Sequence, residues 1–416
     1  MSMEDETVHS VILGAGLVGT VAALCLSRAG LKVVVVEANA MEQPPFAFDG
    51  RTTAISYGSA QILKDTGLWD SLKNYLSPIN KIKVFEAHTP FSLTFDQQEL
   101  SRRDDPMGYM IDNMLLRQIL QQALLDNSGI VVKKGVTVQH FSKDPRCITL
   151  TLSDNTLLKS MLVIAAEGRH SPSRRHFGIR VNCREYGHTA LVGILTHANP
   201  HEETAFEVFH SSGPLAFLPM PSTPRQSEKG GNESLDRISG KDSDPYQWEH
   251  RSAIVWSSKE TLQDMTQDEL LKNIYHLFPY LGPISFASKL MFYPLSYQKT
   301  SSLVGYRYAL VGDAAHVMHP VAGQGVNLGW RDAKVLCDKV IKAYTLGLDV
   351  GSDTLLAEYH REREKDQKPL LYVTHSLIRL FGIKSHTLQM LRSYGLGLVD
   401  RMTPLKRFLM HKAMGI

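Results

Sequence analysis

Three glycine-rich turns hold the residues whose types and spacing could do chemistry. The first is Gly14-Ala15-Gly16-Leu17-Val18-Gly19, with Glu37 eighteen residues beyond the last glycine. Gly14 permits a tight turn, Gly16 lets the backbone approach a pyrophosphate, and Gly19 lets a helix pack closely on a strand. A helix starting there directs its partial positive charge at phosphates. Glu37 can accept hydrogen bonds from ribose hydroxyls and would repel a ribose 2′-phosphate. The pattern points to dinucleotide binding, with a purely structural glycine turn as the alternative. By itself it does not separate FAD from NAD.

The second turn is Glu167-Gly168-Arg169-His170-Ser171, after the apolar run Leu162–Ala166 and followed by Arg174. The third is Gly312-Asp313-Ala314-Ala315-His316, after Tyr308–Val311, running through His319-Pro320 to Gly323-Gln324-Gly325-Val326-Asn327-Leu328-Gly329. Each is an apolar strand ending in a Gly/acidic turn. Asp313 can take a ribityl or ribose hydroxyl, and the Gly323-Gln324-Gly325 backbone can lie flat against a planar ring. The end of the helix that follows can stabilise negative charge on that ring. Two strand–turn–helix units with a core aspartate cap are the structural alternative. Together these turns favour FAD.

The elements that must position these turns are legible in outline. Val8–Leu13 reads as a strand, Leu17–Arg28 as a helix stopping at Gly30, and Lys32–Val36 as a buried strand closed by Glu37. Such a β-α-β unit implies a parallel sheet. Helical spacing recurs over Met114–Asp126, where Leu116, Ile119, Leu120, Ala123 and Leu124 form one face. Strand-like segments follow at Val131–Phe141, Cys147–Leu152 and Thr156–Ala166, and a helix is expected from Asn327 to about Tyr344. Residues 181–295 carry many short strand signals and read as a second, sheet-based domain. It is interrupted by a helix whose start, Thr266 with Glu269, resembles a capping box. Ser222–Gln247, rich in Ser, Gly, Pro and charge, reads as a surface loop, with a recognition site as the alternative.

Composition sets the bounds. The chain has 416 residues, 43% apolar and 21% charged, enough for two or three domains with real cores. A net charge of +3 is too small to indicate nucleic-acid binding, and no nucleic-acid partner is expected. Cys25, Cys147, Cys183 and Cys337 show no paired ligand spacing, so reduced core thiols are expected rather than disulfides or structural zinc. The first residues are acidic, without the basic region of a signal peptide, and no apolar run reaches the roughly 18 residues of a membrane span. A cytoplasmic protein is expected, with peripheral attachment to the inner face of the membrane as the alternative.

The order of these motifs resembles the single-component FAD-dependent aromatic hydroxylases related to para-hydroxybenzoate hydroxylase. Within them the sequence is most similar to the ubiquinone-biosynthesis hydroxylases, the UbiH/UbiF/VisC family. The resemblance rests on Asp49-Gly50-Arg51-Thr52-Thr53-Ala54-Ile55-Ser56, on Gly312–Ala333 ending Asn327-Leu328-Gly329-Trp330-Arg331-Asp332-Ala333, and on Leu391–Leu398 with Pro404-Leu405-Lys406-Arg407. It covers nearly the whole chain except Ser222–Gln247. One departure is Glu167, where the family usually has aspartate.

The resemblance implies an α/β fold: an FAD-binding Rossmann-like parallel-sheet domain, an inserted mainly antiparallel β-sheet substrate domain and a C-terminal helical region. Residues 1–80 with 105–180 and 285–345 would form the first, 81–104 with 181–284 the second, and 346–416 the third. Gly14, Gly16, Gly19 and Glu37 would hold the ADP half of FAD. Arg51 and Arg117 would lie near the pyrophosphate and ribityl chain. Asp313 would bind the ribityl or pyrophosphate region, and Gly323, Gln324, Gly325 and Asn327 would line the isoalloxazine ring. The implied chemistry is hydroxylation of a polyprenylated phenol in ubiquinone biosynthesis, through a flavin hydroperoxide formed from O2 with a reduced donor such as NAD(P)H. Because the flavin carries that chemistry, no protein catalytic residue is assigned. A reductase or dehydrogenase of the same fold, or a non-enzymatic prenyl-binding escort protein, are the alternatives.

Three further features are ambiguous in the sequence. His316 and His319 have a spacing that could ligate a metal but lack a third partner, so no metal is expected and His319 is read as shaping the loop near the ring. Phe206, Phe209, Phe217 and Phe292 could line an apolar substrate pocket or be plain core. From Ser376 onward there are seven basic residues (Arg379, Lys384, Arg392, Arg401, Lys406, Arg407 and Lys412) against Asp400, a surplus of six. With their interleaved leucines they could dock a membrane surface or a quinone-biosynthesis complex, or pack on the first domain with the charges solvated.

Overall fold

The computed structural model describes residues 7–41, 50–100, 105–210, 212–224, 248–259, 261–319, 323–383 and 385–416. Its first sheet is built on the run of valines. Strands β1 (Thr7–Leu13), β2 (Val33–Glu37), β8 (Ile130–Lys134), β11 (Leu157–Ala165) and β19 (Tyr308–Leu310) pair in parallel, in the order β19-β11-β1-β2-β8. All four valines of β2 are buried, as a parallel strand covered on both faces requires. An antiparallel meander, β9 (Val138–Lys143) and β10 (Ile148–Leu152) with β11, extends the sheet, and β18 (Val304–Gly305) closes the other edge. The single segment expected over Val131–Phe141 is two strands, broken at Gly135, which takes a left-handed φ of 72°.

A small antiparallel sheet, β3 (Thr52–Ser56), β7 (Gly108–Asp112) and β4 (Ser77–Ile79), lies between the first sheet and a larger one. That second large sheet has nine strands: β5 (Lys81–Glu86), β6 (Ser92–Asp96), β12 (Val181–His197), β13 (Thr204–Phe209), β14 (Pro214–Pro224), β15 (Trp248–Ser258), β16 (Ile284–Phe286), β17 (Met291–Thr300) and β20 (His316–Val317). All its pairings are antiparallel except β5 with β13. Because β17 pairs with β12, the chain rejoins the first sheet only at β18. Ser222–Pro224 belong to β14; the rest of the expected loop, 225–247, lies outside the described residues.

Ten helices are described: α1 (Leu17–Arg28), α2 (Tyr57–Asp65), α3 (Trp69–Leu72), α4 (Asn113–Leu125), α5 (Pro172–His176), α6 (Gln267–Leu277), α7 (Gln324–Thr345), α8 (Asp353–Phe381), α9 (His386–Arg401) and α10 (Thr403–Met414). Thr266 and Glu269 form the reciprocal capping box at the start of α6. One face of the nine-stranded sheet packs under α6, burying Leu191, Leu195, Phe217, Ile254 and Ile274. The opposite face, with Ile194, Met220 and Ala253, packs on Ile79 and Met110 of the small sheet. This alternation sends Phe217 and Phe206 into the core against Phe278, with ring centroids 4.9 and 5.3 Å apart. Phe209 stacks instead on Phe381 of α8 at 3.9 Å. Only Cys337 among the cysteines is buried; Cys183 is exposed.

Candidate functional site

The first glycine turn links β1 to α1. Gly14 has a φ of 98°, and a Cβ there would lie 2.6 Å from the Ala166 carbonyl oxygen. A Cβ on Gly19 would meet the Gly14 oxygen at 2.0 Å, so both positions are closed to any side chain. At Gly16, by contrast, a Cβ would meet nothing within 4 Å. That bare backbone faces a cavity of about 530 Å³ lined by Gly14, Gly16, Glu37, Arg117, Glu167, Gly168 and their neighbours. The Glu37 carboxylate accepts from the Ala15 N–H at 2.7 Å and from the Asn39 N–H at 2.9 Å, which aims it across the cavity mouth.

The second and third turns are tied together by Arg174, which donates to the Ala314 oxygen at 2.8 Å and the Arg169 oxygen at 2.9 Å. Glu167 turns back onto the start of α5, accepting from the Ser171 hydroxyl at 2.7 Å and from the Ser173 N–H at 3.2 Å, and also from the Ser173 hydroxyl. Its extra methylene relative to aspartate lets it reach these partners while it still borders the cavity. Asp313 opens into the cleft, yet the protein crowded around it pushes its carboxyl up, against the pull of His316, Arg169 and Arg51.

Under that turn sits a group the motifs did not single out. Asp332, fully buried on α7, accepts from the Gly312 N–H at 3.1 Å, Arg363 Nε at 2.7 Å and Gln367 Nε2 at 2.9 Å. His316 Nε2 is 2.6 Å away. Burial alone would raise this carboxyl, but His316 and Arg363 override it and hold it at about 2. His316 is therefore a structural partner of Asp332. Among the described residues no group of three or more His, Cys, Asp or Glu could hold a metal.

Gly323 caps α7 with a left-handed φ of 60°. Asn327 spends its whole amide on protein: it donates to the Ala54 and Gly323 oxygens at 2.7 and 2.9 Å and accepts from the Ser56 N–H at 2.9 Å. It thereby pins β3 to the helix start. Gln324 is buried and reaches the Ala413 oxygen of α10 at 3.3 Å. At Gly325 a Cβ would meet nothing within 4 Å. Arg51, at the start of β3, is exposed and lies 5.8 Å from the Tyr293 ring centre. Of the expected residues, then, Gly14, Gly16, Glu37 and Arg117 line one cavity. Arg51, Asp313 and Gly323–Asn327 lie beyond it along the β3–α7 seam, while Gly19 serves the packing of α1. Asp49 and Pro320 lie outside the described residues.

The cavity at the first glycine turn, the open backbone at Gly16 and the carboxylate of Glu37 suit a dinucleotide, and the comparisons with known proteins agree. The FAD binding domain family matches residues 7–371. Ubiquinone hydroxylase UbiL of Rhodospirillum rubrum is 36% identical, covering 99% of this chain and 90% of that protein. The chain belongs to the FAD-dependent ubiquinone hydroxylases. Other members of this family include the human mitochondrial ubiquinone biosynthesis monooxygenase COQ6, 30% identical over 97% of the chain and 92% of that protein, and the 3-demethoxyubiquinol 3-hydroxylase of Escherichia coli, 28% identical over the full length of both. Among solved structures, p-nitrophenol 4-monooxygenase PnpA of Pseudomonas putida has the same fold, with a TM-score of 0.74 at 18% identity over 98% of this chain and 99% of that one. As a member of this family the chain is an FAD-dependent monooxygenase with the para-hydroxybenzoate hydroxylase fold.

The basic C-terminal segment also takes a definite form. Arg392 of α9 is buried and forms a two-pronged pair with Glu86 of β5, one arm at 3.1 Å, and donates to the Leu380 and Ile383 oxygens at 2.9 and 3.2 Å. Lys406 of α10 is buried between Glu99 at 2.7 Å and Asp400 at 3.2 Å. These charges face inward, onto the nine-stranded sheet. The outward side of α9 and α10 mixes apolar and basic residues: Leu391, Tyr394, Leu398 and Phe408 are each more than half exposed, and Arg401, Arg407 and Lys412 are exposed as well. No helix among the described residues is long and apolar enough to cross a membrane.

Proposed function

We propose that the chain hydroxylates the aromatic ring of a polyprenylated phenol in ubiquinone biosynthesis. Its family membership over nearly the full length carries this function. Bound FAD supplies the activation of O2 and the transfer of one oxygen atom, with electrons from a reduced donor such as NAD(P)H. The protein supplies binding and orientation. The Gly14–Gly19 turn and α1 end face the pyrophosphate, Glu37 accepts from the adenosine ribose, and Arg117 neutralises phosphate charge. Asp313 receives a ribityl hydroxyl. Gly323, Gln324 and Gly325 would offer their backbone to the isoalloxazine, Arg51 would lie near the pyrophosphate and ribityl chain, and Asn327 acts by locking the loop against β3. A strain lacking the chain is expected to accumulate an under-hydroxylated prenylphenol that the cloned gene removes; unchanged quinone levels without a second hydroxylase would contradict the function.

Peripheral attachment to an anionic membrane belongs to the same proposal. The exposed leucines and aromatics of α9–α10, together with exposed Arg379, Arg401, Arg407 and Lys412, have the chemistry of an interfacial helix pair. It would bring the enzyme to a substrate whose polyprenyl tail stays in the bilayer. Co-flotation with vesicles containing anionic lipid tests it; retention only on partner proteins would assign the face to a biosynthetic complex.

A further inference from the structure

Strand β12 pairs with β17 up to Glu185 opposite Ser296, and resumes with His188 opposite Leu295. Tyr186 and Gly187 are thus extra residues, and Gly187 adopts a left-handed φ of 63°. Such bulges re-aim side chains and recur beside active sites. This one turns Tyr186 and His188 toward a cavity of about 450 Å³ that Arg184, Lys259, His375 and Arg379 also line.

Two connections place the cavity next to the proposed ring site. The ring of His319, four residues before Gly323, lies 5.2 Å from Tyr186 and 5.7 Å from His188. His188, Ala190 and Val192 share one strand face. At its far end a Cβ on Gly50, the neighbour of Arg51, would touch Val192 at 3.3 Å. One strand face therefore runs from the Gly50–Arg51 turn to His188.

His188 is 5% exposed, and its Nδ1 has no hydrogen-bond partner among the described residues. A buried polar atom left unpaired in this way forfeits its hydration with no return. Burial, aided by Lys259, lowers the pKa of His188, so the ring is neutral and in its Nε2–H tautomer Nδ1 is an acceptor. Resting on the hydroxylase function above, we propose that His188 positions the substrate by accepting a hydrogen bond from the phenolic O–H at Nδ1, which fixes the ring carbon presented to the flavin. Arg184, Lys259 and Arg379, against the single carboxylate of Glu185, surround the oxygen with positive potential that favours charge developing there.

The test compares a short-chain prenylphenol with its methyl ether, which has no O–H to donate, by titrating the FAD-loaded chain and reading flavin absorbance. The wild-type chain is expected to bind the phenol about tenfold or more tightly. His188→Leu should bind the two compounds equally, while His188→Gln, which keeps an acceptor, should restore the preference. FAD content and thermal midpoint are measured on each variant. A preference that survives in His188→Leu, or is absent from a wild-type chain that still hydroxylates the phenol, overturns the role of His188 alone. A wild-type chain that neither binds nor hydroxylates the phenol overturns the hydroxylase function and the role together.

Discussion

His316 and Asp332 meet at 2.6 Å directly beneath the turn that presents Asp313, and Arg363 approaches the other oxygen of Asp332 at 2.7 Å. The cofactor-side turn is thus held from below by a buried ionic cluster joining the β20 segment, α7 and α8. Asp332→Asn keeps the shape but leaves the buried Arg363 with only the partly exposed Asp366, 2.8 Å away, as its counter-charge, for which a loss of about 3 kcal/mol is expected in urea unfolding. The carboxyl sits at about 2 in the native chain, below its unfolded value. Its contribution, about 2 kcal/mol, is therefore complete above about pH 4 and lost as pH falls through 2.

The three glycines of the first turn separate folding from binding. Gly14→Ala and Gly19→Ala force a Cβ against backbone oxygen at 2.6 and 2.0 Å, and soluble folded protein should fall sharply for both. Gly16→Ala meets nothing in the protein, so its thermal midpoint without FAD should stay within a few degrees while FAD affinity drops tenfold or more. The flavin content of purified protein measures the difference.

Buried histidines make the fold sensitive to mild acid. Burial holds His197 at about 4 and His319 at about 3, both below the unfolded value near 6.5. The unfolded chain takes up these protons first, so stability is full above about pH 6.5 and falls towards pH 4. The loss is about 3 kcal/mol for His197. A denaturation midpoint that declines steadily from pH 7 to pH 5 is the expected result.

Removing one side of the Arg392–Glu86 pair leaves a buried charge alone, so Arg392→Ala or Glu86→Ala should cost about 3–5 kcal/mol. Replacing both by Met and Leu should recover most of that loss. By contrast, Leu391→Ser with Leu398→Ser lies on the outward face, and should leave stability nearly unchanged while reducing co-flotation with anionic vesicles severalfold.

Much of this is legible in the amino-acid sequence alone. The glycine spacing, the valine strand and the Thr266–Glu269 cap are local signals whose physics lies within a few residues, and the structure carries each of them. Contacts that join distant segments left no such trace. Asp332 stood inside a recognised stretch, yet nothing local marks it as the partner of His316, Gly312, Arg363 and Gln367. The basic tail misled in a similar way: counting charges cannot show that Arg392 and Lys406 point inward to Glu86, Glu99 and Asp400. Of the β12 bulge only Gly187 gives a local sign, since a glycine inside a strand often marks one; the two extra residues show only against the partner strand.

The most direct test of the account is hydroxylation by the purified FAD-loaded chain, given a reduced nicotinamide donor, a prenylphenol and isotopically labelled O2. The account predicts one new ring hydroxyl carrying one labelled oxygen atom, with no product when FAD or O2 is withheld. Oxidation of the donor with no labelled oxygen in the ring would contradict it.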